Sequence, residues 1–157
     1  MTRRAFRVST LIGALALLIP AVTIASSGSG ITNSVIRADG TVQGPFKVNI
    51  PGVLKIQAYA DMRVVDQELT ILPGGTTGWH SHPGPVIVTV KSANGIFRYR
   101  ESDCSFTDYT QGQTFVDSGG GHVHNGENVG SGDLDISLTF FAPPGVPLRI
   151  DEPAVAC

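Results

Sequence analysis

Apolar residues recur at every second position along much of this chain. From residue 64 to 71, Val65, Gln67, Leu69 and Ile71 alternate with Val64, Asp66, Glu68 and Thr70. From residue 134 to 141, Leu134, Ile136, Leu138 and Phe140 alternate with Asp135, Ser137, Thr139 and Phe141. A period of two sends successive side chains to opposite faces of a strand. Each stretch therefore predicts a strand with one apolar face, on which Gln67 is the polar exception. Val86 to Lys91 is strongly β-branched, and Ile96 to Arg100 returns from Asn94-Gly95, a pair that tolerates positive φ and marks a hairpin. Residues 31–50 hold short apolar runs broken by Asp39-Gly40 and Gly44-Pro45, which predicts short strands joined by turns. Pro51-Gly52 is a further turn, and Pro73-Gly74-Gly75, Pro83-Gly84-Pro85 and Pro143-Pro144-Gly145 predict strand ends. Glu101 to Gln111 reads as a polar loop, Gln113 to Asp117 as a short strand, and Ser118 to Gly121 as a glycine turn. No stretch sustains a helical period, and no repeat of solenoid type occurs. The class is all-β: many short strands closed over one core as a sandwich, barrel or jelly roll.

Composition fits one turn-rich domain: 157 residues, with 19 Gly, 10 Pro and only 15% charged. Residues 1–25 stand apart. Arg3, Arg4 and Arg7 precede an apolar run from Leu11 to Ile19, and Thr23-Ile24-Ala25 places small residues where a signal peptidase reads. This segment reads as a signal peptide, with an uncleaved N-terminal anchor as the alternative. Its Arg3-Arg4 start also resembles a twin-arginine export signal. Ser26 to Gly30 reads as a flexible linker, and residues 31–157 as the domain. The expected location is therefore exported: periplasmic, extracellular or tethered to a membrane. A membrane is a partner only if the segment stays uncleaved. Past residue 25 the chain keeps eight basic and thirteen acidic residues, a formal charge of −5 with no basic patch, which argues against nucleic acid. Gly119-Gly120-Gly121 has no following helix and Lys, so it is a turn and no phosphate loop. Cys104 and Cys157 are the only cysteines, and in an exported protein they read as a disulfide.

The four histidines form two His-x-His pairs, His80/His82 and His122/His124. On a strand, each pair presents two imidazoles on one face. Neutral imidazole suits zinc, copper, iron and nickel.

Around these pairs the chain resembles the cupin superfamily. Gly74 or Gly75, His80, His82 and Gly95 fall on the family's first motif. Gly112, His124 and Asn128 fall on its second. The resemblance covers residues 63–142. It implies a cupin-type β-barrel or jelly roll with a divalent metal held by His80, His82 and His124. The first motif's glutamate is missing, since Val86 and Ile87 occupy its place. In the second motif Ser118 replaces the proline, and one extra residue precedes His124. His122 is therefore an alternative ligand, a fourth ligand, or a group at the rim. Gln67 faces inward and is a candidate for contact with a metal-bound water, or a satisfied core amide. Trp79 alternates with His80 and should pack on the other face, while Phe97 and Tyr99 belong to the barrel wall. The metal is Fe, Mn, Ni, Cu or Zn, and no catalytic acid or base is identified. Two functions are compatible with this pattern. One is an oxygenase-like or isomerase-like enzyme acting on a small molecule. The other is a non-enzymatic binding module for a small ligand or a metal ion. A homodimer is open.

Overall fold

The computed structural model describes residues 25–157. The signal expected over residues 1–25 lies outside them, apart from Ala25, which bridges Pro153. The strands are β1 (Ser29–Val42), β2 (Phe46–Ile50), β3 (Leu54–Ala58), β4 (Met62–Thr76), β5 (His80–Ser81) and β6 (Val86–Val90). They continue with β7 (Phe97–Glu101), β8 (Phe106–Tyr109), β9 (Thr114–Asp117), β10 (His124–Asn128), β11 (Leu134–Ala142) and β12 (Ile150–Asp151). No helix occurs among the described residues, so the all-β expectation holds.

Ten strands pair antiparallel into a nearly closed barrel, the architecture that the cupin resemblance implies. One side runs β1-β4-β11-β6-β9 and the other β8-β7-β10-β5-β12. The end of β4 joins them, because Thr76 pairs with Glu127 of β10. Closure removes most of the open edges that a flat sheet would expose. The hairpin β2–β3 forms a separate two-stranded sheet.

The period-two pattern fills the interior. Val65 and Ile71 of β4, Val88 of β6, and Leu134, Ile136 and Phe140 of β11 are all buried. Gln67, Leu69 and Leu138 lie on the same faces but line a cavity and are only half-buried.

Four local expectations differ. The stretch 26–30 is held against the domain: Ser29 and Gly30 begin β1, and Ser26 N–H donates to the Glu152 carbonyl. Asp39-Gly40 makes no turn, because β1 pairs with β4 along its whole length and Arg63 forks onto the Asp39 carboxylate. Pro73-Gly74-Gly75 does not end β4; Gly74, at φ +74°, bends the strand and lets it continue to Thr76. The polar loop after Glu101 contains β8, paired to β7, with Arg98 both ion-paired to Asp108 and stacked over Phe106.

Cys104 and Cys157 form the expected disulfide across 53 residues. In the chain-entropy model a loop of that size stabilises by roughly 4 kcal/mol.

The alternation makes a direct prediction. Ile136→Ala removes a fully buried side chain and should cost about 2–5 kcal/mol in denaturant unfolding. Val116→Ala, on the exposed face of β9, should stay within about 0.5 kcal/mol.

Candidate metal centre

His80 lies on β5, His82 just beyond it, and His124 opens β10. β5 and β10 pair with His124 opposite His80, which carries residues 44 positions apart to one place. The three side chains are buried, with ring centroids 4.3 to 5.1 Å apart. They offer ligand atoms all within 4.8 Å of one another.

Each ring is held through Nδ1. His80 Nδ1 lies 2.7 Å from the Gly78 carbonyl, His82 Nδ1 2.7 Å from the Leu148 carbonyl, and His124 Nδ1 3.1 Å from the His122 carbonyl. A carbonyl only accepts, so each Nδ1 carries the proton and each Nε2 keeps its lone pair. Fixing one nitrogen selects the tautomer and frees the other for a metal. Burial also keeps the rings neutral. It pushes His80 down to about 2 and His124 to about 4, with Asp117 opposing the shift at His124. His82 is lowered for the same reason. Buried, neutral, oriented imidazoles with free lone pairs are the donor set that a divalent transition metal takes.

The local backbone explains the positioning. Gly78 sits at φ +72°, and a Cβ there would press on the Ser26–Gly28 backbone. Its carbonyl is thereby aimed at His80. Gly119, at φ +63°, lies so close to the Gly84 backbone that no Cβ fits. That contact, with the Gly121 N–H bonded to the His82 carbonyl, joins the two histidine segments.

The C-terminal tail supplies much of the support. It forms β12, with Ile150 opposite Ser81 and Asp151 opposite His80. It also supplies the Leu148 carbonyl to His82, the Glu152 carboxylate to Ser81, and the Arg149 guanidinium to the Thr77 carbonyl. Trp79 faces away from the cavity, as expected, and is buried in a small cleft with Arg100, Val155 and Cys157.

His122 does not share the strand face with His124. It precedes β10 in the glycine turn and is half-exposed. Its Nε2 is 3.0 Å from Glu101 Oε2, out of line for a hydrogen bond, so that buried oxygen has no partner. Gln67 lines the cavity and donates to Ser34 Oγ at 2.8 Å.

The sequence reading missed Asp117. This carboxylate is 2% exposed and sits at the end of β9, two residues beyond buried Phe115. Tyr99 OH donates to Oδ2 at 3.0 Å and Gly119 N–H to Oδ1 at 2.6 Å; Oδ2 also lies 3.0 Å from His124 Nδ1. The Tyr99 ring stacks on His124, and its phenol pKa is raised by burial and then by Asp117. The period-two pattern that places Phe115 inward also places Asp117 inward, and that was the available signal.

The three imidazoles line a cavity of about 670 Å³. Its walls are mainly apolar, including Val88, Phe97, Ile136 and Phe140, and Ile31 and Ile36 of β1 line it where the barrel meets solvent. Two guanidinium groups reach it, and both are neutralised: Arg63 by Asp39 and Arg149 by Asp151.

No family model matches the chain, and no curated protein matches it. Solved structures of similar shape include a cupin domain from Bordetella pertussis, 16% identical over 76% of this chain and 98% of that one, with a TM-score of 0.49. A polyketide cyclase from Streptomyces resistomycificus is 18% identical over 56% of this chain and 59% of that one, at 0.46. A predicted oxalate decarboxylase from Thermotoga maritima is 19% identical over 54% and 82%, at 0.40. At these values the likenesses carry no inference about activity.

Two predictions follow from the support. Replacing Cys104 and Cys157 together by Ser frees the tail, and should weaken metal affinity about tenfold in calorimetric titration while leaving saturation stoichiometry unchanged. The metal-free protein should also be acid-labile. His80 and His124 are neutral when folded but protonate near pH 6.5 when unfolded, so the unfolded state takes up more protons below that pH. The contribution of these groups is full above about pH 6.5 and falls toward pH 4. His80→Asn should flatten the decline between pH 6.5 and 5, read as melting temperature.

Proposed function

We infer that the chain is an exported cupin-type domain that holds a divalent transition metal at His80, His82 and His124 and receives a small organic molecule beside it. One observation carries this: three buried imidazoles, each fixed through Nδ1, offer ligand nitrogens within 4.8 Å of one another in the lining of a solvent-reached cavity. Three protein ligands leave coordination positions for water or substrate, and a metal so held supplies Lewis-acid polarisation or an activated water. The chain's own residues do the rest. The apolar walls exclude water and hold an apolar body. Asp117, the charge nearest the centre on the His124 side, orients that ring and makes it the more basic donor. With both nearby guanidinium groups already neutralised, the metal is the positive group left to meet an anionic or oxygen-donor end of the ligand. The disulfide fits an oxidising compartment, which supports export.

A binding-module reading is favoured by one specific feature: Asp117 and Tyr99 are bonded to each other, so neither stands free as a general acid or base. Oxygen consumption or turnover of a small-molecule panel by the metal-loaded protein decides for the enzyme; metal and ligand binding with no turnover decides for the module.

The metal site has its own test. His80→Ala and His124→Ala should each abolish stoichiometric binding of Zn, Mn, Fe, Ni or Cu in elemental analysis, while His122→Ala only weakens it. Equal loss in all three would make a four-histidine centre the better description. Full retention of metal in His80→Ala and His124→Ala would remove the proposal.

A further inference from the structure

The hairpin β2–β3 is distant in kind from everything above. It belongs to neither side of the barrel. Its register sets Val48 opposite Ile56 and Ile50 opposite Leu54, so these four share one face. Lys47, Asn49, Lys55 and Gln57 share the other. The tip is a tight turn: Pro51 and Gly52 occupy its centre, Gly52 at φ +76°, and Val53 N–H closes onto the Ile50 carbonyl. The neck is fixed where Gly44 N–H donates to the Asp61 carboxylate.

The apolar face is left in solvent. Val48, Ile50, Leu54 and Ile56 are 38–49% exposed, Val53 at the tip 79%, and Tyr59 at the base 83%. A two-stranded hairpin is marginal in water by itself, so such a face calls for an occupant.

Charge identifies that occupant. Six of the eight basic residues among the described ones are ion-paired: Arg37, Arg63, Lys91, Arg98, Arg100 and Arg149. Lys47 and Lys55 are the two that have no ion pair, and both lie on this hairpin. No acidic residue occurs from Gly40 to Ala60. The segment is thus cationic in a domain that is otherwise acidic.

We propose that this hairpin docks onto an anionic phospholipid surface. The apolar face and Val53 enter the headgroup–acyl boundary, where an amphipathic element sinks roughly 5–10 Å. Lys47 and Lys55 then stand at phosphate level, reaching along their apolar stems. Tyr59 takes the interfacial position that aromatic residues with a polar tip favour. A second copy of the chain fits less well. Face-to-face packing of five or six half-exposed side chains covers a few hundred Å² at most, against roughly 800 Å² per partner in a stable interface. It would also leave the lysines without a counter-charge. The proposal does not depend on the metal centre.

The test uses the full chain carrying Val53→Trp, with buried Trp79 as background, and vesicles of brominated phosphatidylcholine with or without one-quarter phosphatidylglycerol. The expected result is quenching of the tip reporter by the phosphatidylglycerol vesicles. Partition should weaken about fivefold for each of Lys47→Glu and Lys55→Glu, and about tenfold or more for Leu54→Asp. Residues 1–25 carry Arg3, Arg4 and Arg7 and themselves favour the anionic vesicles, so the hairpin's share is read from the loss in the Lys47→Glu, Lys55→Glu and Leu54→Asp variants, which leave that segment unchanged. Unchanged metal stoichiometry and melting temperature show that the barrel is intact. An unquenched reporter, equal quenching in both vesicle types, or equal quenching after charge reversal overturns the assignment. A reporter already shielded without vesicles, with the mass of a dimer, overturns it in favour of a second copy.

Discussion

The hydrogen bond from His82 Nδ1 to the Leu148 carbonyl joins the two ends of this molecule's logic. It links a candidate ligand in the middle of the chain to an extended tail. That tail is short and extended, and β12 has only two residues. It keeps its place because Ser26 and Trp79 bond the Glu152 backbone, Ser81 bonds its side chain, and the disulfide fixes the last residue. Remove those ties and His82 loses the acceptor that sets its tautomer. Three neutral rings in a buried space have little reason to converge unless something outside the cluster orients each one. Here the three acceptors come from three separate places: Gly78, His122 and Leu148.

The cavity follows from the same constraint. His80 and His124 sit on short β5 and β10, while β4 and β11, nine or more residues each, pair in continuous register with β6 alongside. Rigid, apolar alternation on one side gives a stable surface. Glycines at positive φ on the other give freedom to aim side chains. The barrel thus divides its work: stability sits where the pattern is most regular, and chemistry sits where the turns interrupt it.

That division also explains what the sequence made legible. The alternating runs at 64–71 and 134–141 and the β-branched run after Val86 became β4, β11 and β6, because burial on one face enforces period two. His80, His82 and His124 were legible from type and spacing. The failures have local causes. Asp39-Gly40 looks like a turn, but pairing with β4 and the Arg63 fork override local preference. Phe106 to Tyr109 looks polar because its strand is exposed and held by ion pairing to β7. His122 and His124 were expected on one strand, but that strand begins only at His124, which leaves His122 in the preceding turn. Asp117 was missed for a different reason. A lone acid at the end of a five-residue run carries no motif, and only its step of two from Phe115 marks it as inward.

Asp117 changes how the missing glutamate should be understood. Val86 occupies the expected place of that acid and is buried in the apolar core. A negative charge is nevertheless present, held by Tyr99 and the Gly119 N–H on the far side of His124. Placed there, it lies against His124 Nδ1 and also lines the cavity. A carboxylate behind an imidazole strengthens that ring as a donor and still leaves the ligand set neutral. A metal held by the three imidazoles alone would keep more positive charge than one held by a set containing glutamate. The two guanidinium groups that reach the cavity are already paired to Asp39 and Asp151, so they compete little with it for a ligand's anionic end.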